Sequence, residues 1–263
     1  MEEKKKQRAF NILGNIAVIN FPKSYKSSVK KKFALDLLKK QSNIKTVLEK
    51  SGKFKGRLRK METKYLAGEK TKEVLYKENN CLFRFNIDTS YFSPRLSNER
   101  KEIADIIKKD ETVLVLFAGV APFSIVIAKN SKAKKVISVE LNKEASRYAL
   151  QNVELNKIKN KVEIIQADVK KLQNKLPPQR FDVIVMARPQ LKDTFIKESL
   201  KYAKKGTRIY YYDFCKEDEI NSIVKKVKSE CSLSKKKIEI LKTKSAGEIA
   251  PYKVRCRVDF EIV

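Results

Sequence analysis

Two patterns of apolar and polar residues follow one another along this chain, and the change between them falls near residue 97. Beyond that point, short apolar runs such as 112–119 alternate with segments such as 143–156, whose apolar residues recur at helical spacing. Regular alternation of strands and helices predicts an α/β fold, a doubly wound sheet with helices on both faces. The last two strand-like segments, 236–244 and 252–263, are predicted to form a closing antiparallel pair.

The N-terminal part has a different pattern, in which strand-like stretches, one helix and several glycines are mixed. Asn79-Asn80 is a pair typical of a tight hairpin turn. We therefore predict two domains, a small α+β domain at 1–88 and the doubly wound domain at 89–263. The predicted strands of the small domain are 14–21, 45–50, 57–66 and 81–88, and its predicted helix is 28–40.

Charge is the most informative feature of the composition. Lysine and arginine number 60 against 31 aspartate and glutamate, a formal net charge of +29. A field of this sign favours binding to polyanions, of which nucleic acid is the commonest inside a cell. The alternative, that the lysines only solvate ordinary helix faces, explains so large an imbalance less well.

Several kinds of site are disfavoured by what the sequence lacks. It contains no histidine, so the commonest general base and metal ligand is missing. Its four cysteines show no Cys-x-x-Cys spacing, which predicts buried thiols in a reducing compartment and no metal site. The apolar runs fall short of the roughly 20 residues that span a bilayer, and the N-terminus has no secretory signal. We expect a cytoplasmic protein with no membrane segment.

Residues at the ends of the predicted strands point to a nucleotide-type ligand. A turn at 117–120 follows the first strand, and Glu140 ends the second about 20 residues later, where such sites place the acceptor for ribose hydroxyls. Asp168 ends the third strand, where a group can meet an adenine. Each feature alone is typical of a helix cap or a solvated loop, but their order favours an adenosine-containing ligand.

Four stretches resemble a known family: YFSPRLSNER at 91–100, LFAGVAPFSI at 116–125, VELNKEASRYALQNVELNK at 139–157 and APYKVRCRVDF at 250–260. The family is that of the archaeal and eukaryotic tRNA (guanine-37-N1)-methyltransferases, which are class I S-adenosylmethionine (SAM)-dependent methyltransferases. The resemblance implies a Rossmann-like methyltransferase sheet after a small α+β domain, SAM as cofactor, and a monomer that binds the anticodon stem-loop of tRNA. The family's further N-terminal domain, which reads overall tRNA shape, is expected to be absent.

The resemblance also assigns roles to individual residues. Glu99 matches the family's general base for guanine N1, and Arg59 matches an arginine that stabilises charge growing on O6. This division of labour is chemically reasonable, because the N1 proton must leave as the methyl group arrives. The alternative for Glu99 is a structural role at a helix start, where a carboxylate favours the macrodipole. The other candidates are Tyr91 and Pro189 for catalysis; Arg100, Phe117, Ala118, Gly119, Glu140, Leu141, Asp168 and Val169 for cofactor binding; and Arg57, Arg95 and Arg188 for RNA contact.

Departures from the family pattern keep other functions open. Val115 and Ala121 stand where the family's first motif has Asp and Gly, and Ala187-Arg188 stand where it has Asn-Leu before a proline. That Asn helps to hold the target base in the family. We expect N1-methylguanosine formation at position 37. The alternatives are another wyosine-pathway reaction, either a different methylation or aminocarboxypropyl transfer, and a non-catalytic tRNA-binding paralogue.

Overall fold

The chain divides into two units in the computed structural model, which describes residues 10–52, 56 and 58–263. The first unit comprises Met1–Lys77 with Leu82–Tyr91, and the second comprises Glu78–Cys81 with Phe92–Val263. The second unit contains the Rossmann-like sheet, and the first is a small α+β unit, so the predicted fold class is confirmed.

Among the described residues of the first unit, a four-stranded sheet in the order β1-β2-β3-β4 packs against a helix. Strands β1 and β2 are antiparallel, β2 and β3 are parallel, and β3 and β4 are antiparallel. The helix makes the crossover between the parallel strands, and its Ala34 and Leu37 pack against Ala17, Ile19 and Val47 of the sheet. The elements are β1 (Phe10–Leu13), β2 (Ile16–Ile19), α1 (Ser27–Lys40), β3 (Thr46–Lys50) and β4 (Thr63–Gly68).

Two hairpin turns of this part show how far local sequence predicts structure. Strands β5 (Glu73–Glu78) and β6 (Cys81–Asn86) pair through the predicted turn, in which Asn79 and Asn80 both have positive φ, at 46° and 59°. Positive φ at both central residues is what a tight two-residue hairpin requires, and asparagine tolerates it. The strand predicted at 14–21 is observed as β2, but it begins at Ile16, because Gly14 at φ 55° lies in the turn that joins β2 to β1.

Seven strands form the sheet of the second unit, in the order β12-β13-β11-β10-β7-β8-β9. Strands β9, β8, β7, β10 and β11 are parallel, and β13 and β12 close the sheet in antiparallel fashion, as predicted. The strands are β7 (Thr112–Leu116), β8 (Lys135–Glu140), β9 (Val162–Gln166), β10 (Phe181–Met186), β11 (Ala203–Lys216), β12 (Ile238–Ala250) and β13 (Lys253–Ile262), and the helices are α2 (Ser97–Asp105), α3 (Pro122–Asn130), α4 (Lys143–Leu155), α5 (Ile196–Leu200) and α6 (Ile220–Leu233).

The unbroken apolar runs of the central strands are explained by burial on both faces of the sheet. In β7, Leu114 and Leu116 share one core with Ile196 of α5 and Val227 of α6. Successive strand side chains point to opposite faces, so Val115 lies on the other face, where it is fully buried. Val115, which stands where the family motif has an acid, is therefore surrounded by packed side chains.

The sequence at 194–205 predicts a helix over that whole range, but α5 ends at Leu200 and strand β11 begins at Ala203. Two contacts at the start of β11 hold these residues in the sheet and so end the helix early. Ala203 pairs with Phe181 of β10, and the Thr207 hydroxyl donates to the Phe181 carbonyl at 2.7 Å. These contacts join residues more than 20 positions apart, so they leave no trace in local periodicity.

The turn at Gly14 gives a direct test of the first unit. A Cβ added there would lie 1.9 Å from the carbonyl oxygen of Leu75, at a φ of +55° that side chains disfavour. We expect Gly14→Ala to destabilise the protein by at least about 2 kcal/mol, from backbone strain and steric overlap together. Gly52 is the matched control, since a Cβ there meets no atom within 4 Å. Urea unfolding followed by circular dichroism should separate the two variants, and equal midpoints would contradict the close approach of Gly14 to Leu75.

Candidate active site

The turn after β7 lies at the carboxyl edge of the parallel strands, where doubly wound sheets bind ligands. Phe117, Gly119 and Ala121 have positive φ angles of 61°, 59° and 64°. The Ala118 amide donates to the Val139 carbonyl at 2.9 Å, which fastens the turn to β8. Ala121 adopts a left-handed conformation. The glycine of the family motif would adopt it without strain, whereas alanine does so at a cost of about 1 kcal/mol. The turn therefore retains its shape despite the substitution.

Glu140 ends β8 beside this turn, and its carboxylate is fixed by backbone amides. Oε2 accepts a hydrogen bond from the Gly119 amide and Oε1 accepts one from the Asn142 amide, both at 2.7 Å. Burial raises the pKa of Glu140, and the amide hydrogen bonds oppose that rise. Each carboxylate oxygen has a second lone pair. Glu140 is therefore a preoriented acceptor that can receive further hydroxyl donors.

The remaining predicted cofactor residues of this edge follow β8 and β9. Leu141 is half-buried between Glu140 and the first turn of α4. Asp168 is half-buried and caps a short 3-10 helix, since its Oδ1 accepts from the Lys170 amide at 3.0 Å. Val169 is buried. Because Glu140 pairs with Gln166 in the sheet, these groups lie along one edge.

Arg100, the remaining predicted cofactor residue, is fully buried in an ion pair. Its Nε and Nη2 donate to the two carboxylate oxygens of Glu78 at 2.5 and 2.7 Å, and Nη2 also donates to the Ser93 carbonyl at 3.0 Å. The guanidinium lies 5.1 Å from the Phe92 ring centre and 5.8 Å from that of Phe123. The Arg100 guanidinium thus packs against Phe123 in the first turn of α3. Because it donates to Glu78 and Ser93, this placement favours an indirect role in cofactor binding.

Glu99 lies on α2 with its carboxylate buried among three donors. Oε2 accepts from the Tyr212 hydroxyl at 3.0 Å and from Arg257 Nη1 at 2.7 Å. Oε1 lies 2.7 Å from Lys244 Nζ. Burial and the Glu99 charge raise the pKa of Tyr212 well above its usual value, so the phenol stays protonated and keeps donating. The orientation of this carboxylate is therefore set by residues of β11, β12 and β13.

Arg257 extends the cluster to two more carboxylates. It donates to Asp259 through Nε at 2.7 Å and to Glu102 through Nη2 at 2.7 Å. Lys244 Nζ lies 2.6 Å from Glu102 Oε2, so this lysine bridges Glu99 and Glu102. Partial burial raises the pKa of Glu102, but hydrogen bonds from Arg257 and Lys244 outweigh it and lower the value to about 2. We call Glu99, Glu102, Lys244, Arg257 and Asp259 the α2 charge cluster.

Arg188 organises the loop that follows β10. It is 2% exposed and forms an ion pair with Asp213 of β11. Its Nη2 donates to the carbonyls of Leu191 and Asp193, at 2.5 and 2.8 Å. The neighbouring Ala187 and Pro189 are half-exposed. Because the guanidinium points into the protein, this placement favours a role in shaping the loop over direct contact with RNA.

The predicted residues of the first unit include one contacting pair. The guanidinium of Arg59 lies 4.7 Å from the ring centre of Tyr91, and both side chains are half-exposed. Arg57 lies outside the described residues. In the second unit, Arg95 is exposed and donates to the Glu248 carbonyl at 3.2 Å.

Residues that sequence reasoning missed belong mostly to buried ion pairs. Arg257, Asp259 and Lys244 received no role, nor did Asp213 and Glu78. Arg257 and Asp259 alternate with apolar residues in the strand-like run at 252–263, a pattern typical of charges on the solvated face of a strand. Local sequence therefore carries no signal that these two charges are buried and paired with each other.

Two predicted absences can be compared with the described part of the chain. There, no helix is long and apolar enough to cross a membrane, and no group of potential ligands is arranged to hold a metal ion. The four cysteines are free thiols, three of them buried and Cys215 half-buried.

Comparisons with known protein families match nearly the whole chain. The TRM5/TYW2 methyltransferase domain matches residues 74–241, and the TYW2 N-terminal domain matches residues 1–71. The tRNA (guanine(37)-N(1))-methyltransferase Trm5b of Pyrococcus abyssi is 31% identical over 255 residues, 97% of this chain and 74% of the relative. The tRNA (guanine(37)-N(1))/4-demethylwyosine(37)-methyltransferase Taw22 of Nanoarchaeum equitans is 41% identical over 142 residues, but the match spans only 46% of that relative.

Solved structures give the same picture of the fold. The crystal structure of Trm5b from Pyrococcus abyssi superposes with a TM-score of 0.84 at 29% identity, covering 97% of this chain and 74% of that one. TYW2 of P. horikoshii superposes with a TM-score of 0.82 at 22% identity, covering 97% of this chain and 90% of that one. The second likeness concerns the fold alone.

The α2 charge cluster predicts a pH-dependent stability. Because the pKa of Glu102 is about 2 in the folded protein, against an ordinary value of 4.5, its stabilising contribution is complete above pH 4.5 and is lost as the pH falls toward 2. We expect Glu102→Gln to lower the melting temperature at neutral pH, with a difference that shrinks on acidification across this window. Glu154→Gln, which removes an exposed carboxylate paired with Lys159, is the control for loss of a charge. A Glu102→Gln difference that stays constant with pH would contradict the cluster.

Proposed function

The chain belongs to the TRM5/TYW2 methyltransferase family, and we propose that it is a SAM-dependent tRNA methyltransferase that forms N1-methylguanosine at position 37. The Trm5b relative aligned over 97% of this chain carries that activity in its name. Trm5 structures that superpose on this chain at 27% identity were solved with tRNALeu and with adenosine. The observation that carries the proposal is the buried Glu99 carboxylate, which three donors hold in one orientation.

The carboxyl edge of the sheet fits the proposed cofactor. SAM supplies the methyl group when it is bound. The Glu140 carboxylate, held by two amides, has the acceptor capacity that ribose hydroxyls need. Asp168 and Val169 would meet the adenine, and the Phe117–Gly119 backbone would bind beside Glu140. The replacement of an acid by Val115 leaves this set intact, because Val115 is fully buried within the sheet.

Proton removal is the chemical task that falls to this chain. Guanine N1 carries a proton that must leave during methylation, and a positioned carboxylate can accept it. Tyr212 and Arg257 both hold Glu99 Oε2, so the other oxygen, Oε1, is the one we assign to the proton. Its partner Lys244 also contacts Glu102, and can remain with that carboxylate when Oε1 becomes neutral. The α2 charge cluster thus offers a reason why Glu99 can change protonation without unpairing a lysine.

The negative charge that develops on guanine O6 requires a cation. We assign this role to Arg59, which matches the family's arginine and keeps its guanidinium against the Tyr91 ring. Stacking on an aromatic ring orients a planar guanidinium, and its fixed positive charge is what a developing oxyanion requires.

The TYW2 branch of the family supplies a second candidate function. The N-terminal match at 1–71 is to the TYW2 domain, and the Taw22 relative is named for both guanine and 4-demethylwyosine. Ala187 also lacks the amide that the Trm5 pattern places after this strand. A 4-demethylwyosine methyltransferase or an aminocarboxypropyl transferase is therefore the alternative.

Labelled SAM separates these reactions. We expect methyl-labelled SAM to transfer its label to tRNA with guanosine at position 37, with recovery as N1-methylguanosine, because Glu99 suits removal of the N1 proton. tRNA with another base at position 37 should remain unlabelled. Label arriving from the aminobutyrate portion of SAM, or methyl label entering only tRNA that carries 4-demethylwyosine, would favour the second candidate. Absence of both labels would contradict both.

Glu99→Gln tests the general base. The amide keeps the shape of the side chain but cannot accept the proton, so we expect the single-turnover rate to fall by about 10²- to 10⁴-fold with SAM affinity unchanged. Glu102→Gln is the matched control, since Glu102 lies on the same helix and shares Lys244 and Arg257. That variant should lose no more than a few-fold. Equal losses in the two variants would show that the cluster only stabilises the fold.

A further inference from the structure

The closing hairpin of the second unit projects beyond the edge of the sheet that carries Glu140. Strand β10 ends at Met186, opposite Tyr211, whereas β11 continues to Lys216. Strand β13 begins at Lys253, opposite Lys216, so the turn at 251–252 caps this extension. Five extra residues, 212–216, extend the hairpin by about 16 Å past the central strands. The tip therefore lies at the carboxyl edge, on the side where the proposed substrate must arrive.

Tyr252 occupies the tip in a way that folding does not explain. Its side chain is 84% exposed, and its φ is 59°, in the left-handed region. Asparagine or glycine would adopt that conformation at lower cost, and an exposed ring contributes little to stability. The tip is nevertheless held in place, because the Glu217 amide donates to the Tyr252 carbonyl at 3.3 Å.

An open depression of about 480 Å³ lies beside the ring, lined by Tyr252, Lys216, Glu217 and Asp218. The two carboxylates of this lining, Glu217 and Asp218, repel phosphate. Such a locally acidic site is unusual on a chain with a net charge of +29. Carboxylates do accept hydrogen bonds from the amino groups of nucleobases. The local chemistry suits the base of a nucleotide better than its phosphate.

We propose that Tyr252 is a stacking platform for one unpaired base of the RNA substrate. The inference rests on the proposed function, since it takes RNA as the ligand. A base laid on the Tyr252 ring would enter the depression with its edge toward Glu217 and Asp218. Stacking tolerates any base, so Tyr252 would contribute to affinity for unpaired RNA and would fix the substrate against this edge of the sheet.

A tryptophan reporter gives a direct test, because the chain contains no tryptophan. We expect the fluorescence of Tyr252→Trp to be quenched saturably by a tRNA anticodon stem-loop, and much less by a fully paired RNA of equal length. Leu233→Trp is the matched control, at a side chain that is 82% exposed at the end of α6. Equal quenching of both variants, or of neither at RNA concentrations that saturate binding, would overturn the inference.

Affinity provides a second measurement that does not depend on the reporter. With a fluorescently labelled stem-loop, we expect Tyr252→Ala to raise Kd about tenfold and Tyr252→Phe to leave it within about twofold, because the ring alone supports stacking. Circular dichroism confirms that each variant is folded. If the wild-type chain binds the stem-loop but Tyr252→Ala binds equally well, the inference fails while the proposed function stands. If the wild-type chain does not bind the stem-loop, the proposed function fails first and the inference fails with it.

Discussion

Neutralisation of buried arginines is the constraint on which the second unit depends. Arg100, Arg188 and Arg257 are its largest fully buried side chains, and each has a carboxylate partner. Removing one partner of a buried ion pair typically costs about 3–5 kcal/mol, because the remaining charge has neither water nor a counterion. The three pairs join segments that are distant in sequence: Glu78 to α2, the loop after β10 to β11, and α2 to β13. They therefore fix the parts of the protein that surround the carboxyl edge of the sheet.

The same constraint orients the proposed chemistry. Glu99 forms an ion pair with Arg257 and is also the proposed base. The interaction that stabilises α2 against β13 therefore also determines where the carboxylate points. Lys244 adds a second cation that Glu99 and Glu102 share, so the lysine contacts both carboxylates of α2. In a chain without histidine, the proton acceptor of the proposed reaction must be another side chain, and the oriented carboxylate of Glu99 is the one we propose.

Much of the fold could be predicted from the sequence, because apolar periodicity records burial. Strand β7, helix α4 and the closing pair followed from local pattern, and Asn79-Asn80 marked its turn. Prediction failed where distant contacts override local preference, as when Ala203 and Thr207 join Phe181 and shorten the helix before them. The candidate site likewise contains one part that local sequence predicts and one part that depends on distant contacts. The Glu140 edge followed from spacing, whereas the pairing of Glu99 with Arg257 joins residues 158 positions apart, and no local signal connects them.

The inward orientation of Arg188 bears on how the target base is selected. In the family pattern an amide at position 187 helps to hold that base, whereas here an alanine stands there and the next side chain ties the loop to Asp213. A loop fixed in this way has a defined shape, but its arginine is committed to internal partners, so recognition that depends on donors must come from other elements. The proposed stacking surface at Tyr252 lies at the same edge of the sheet. Because stacking tolerates any base, this surface would add affinity for the RNA but would not replace the amide that the family pattern places at position 187.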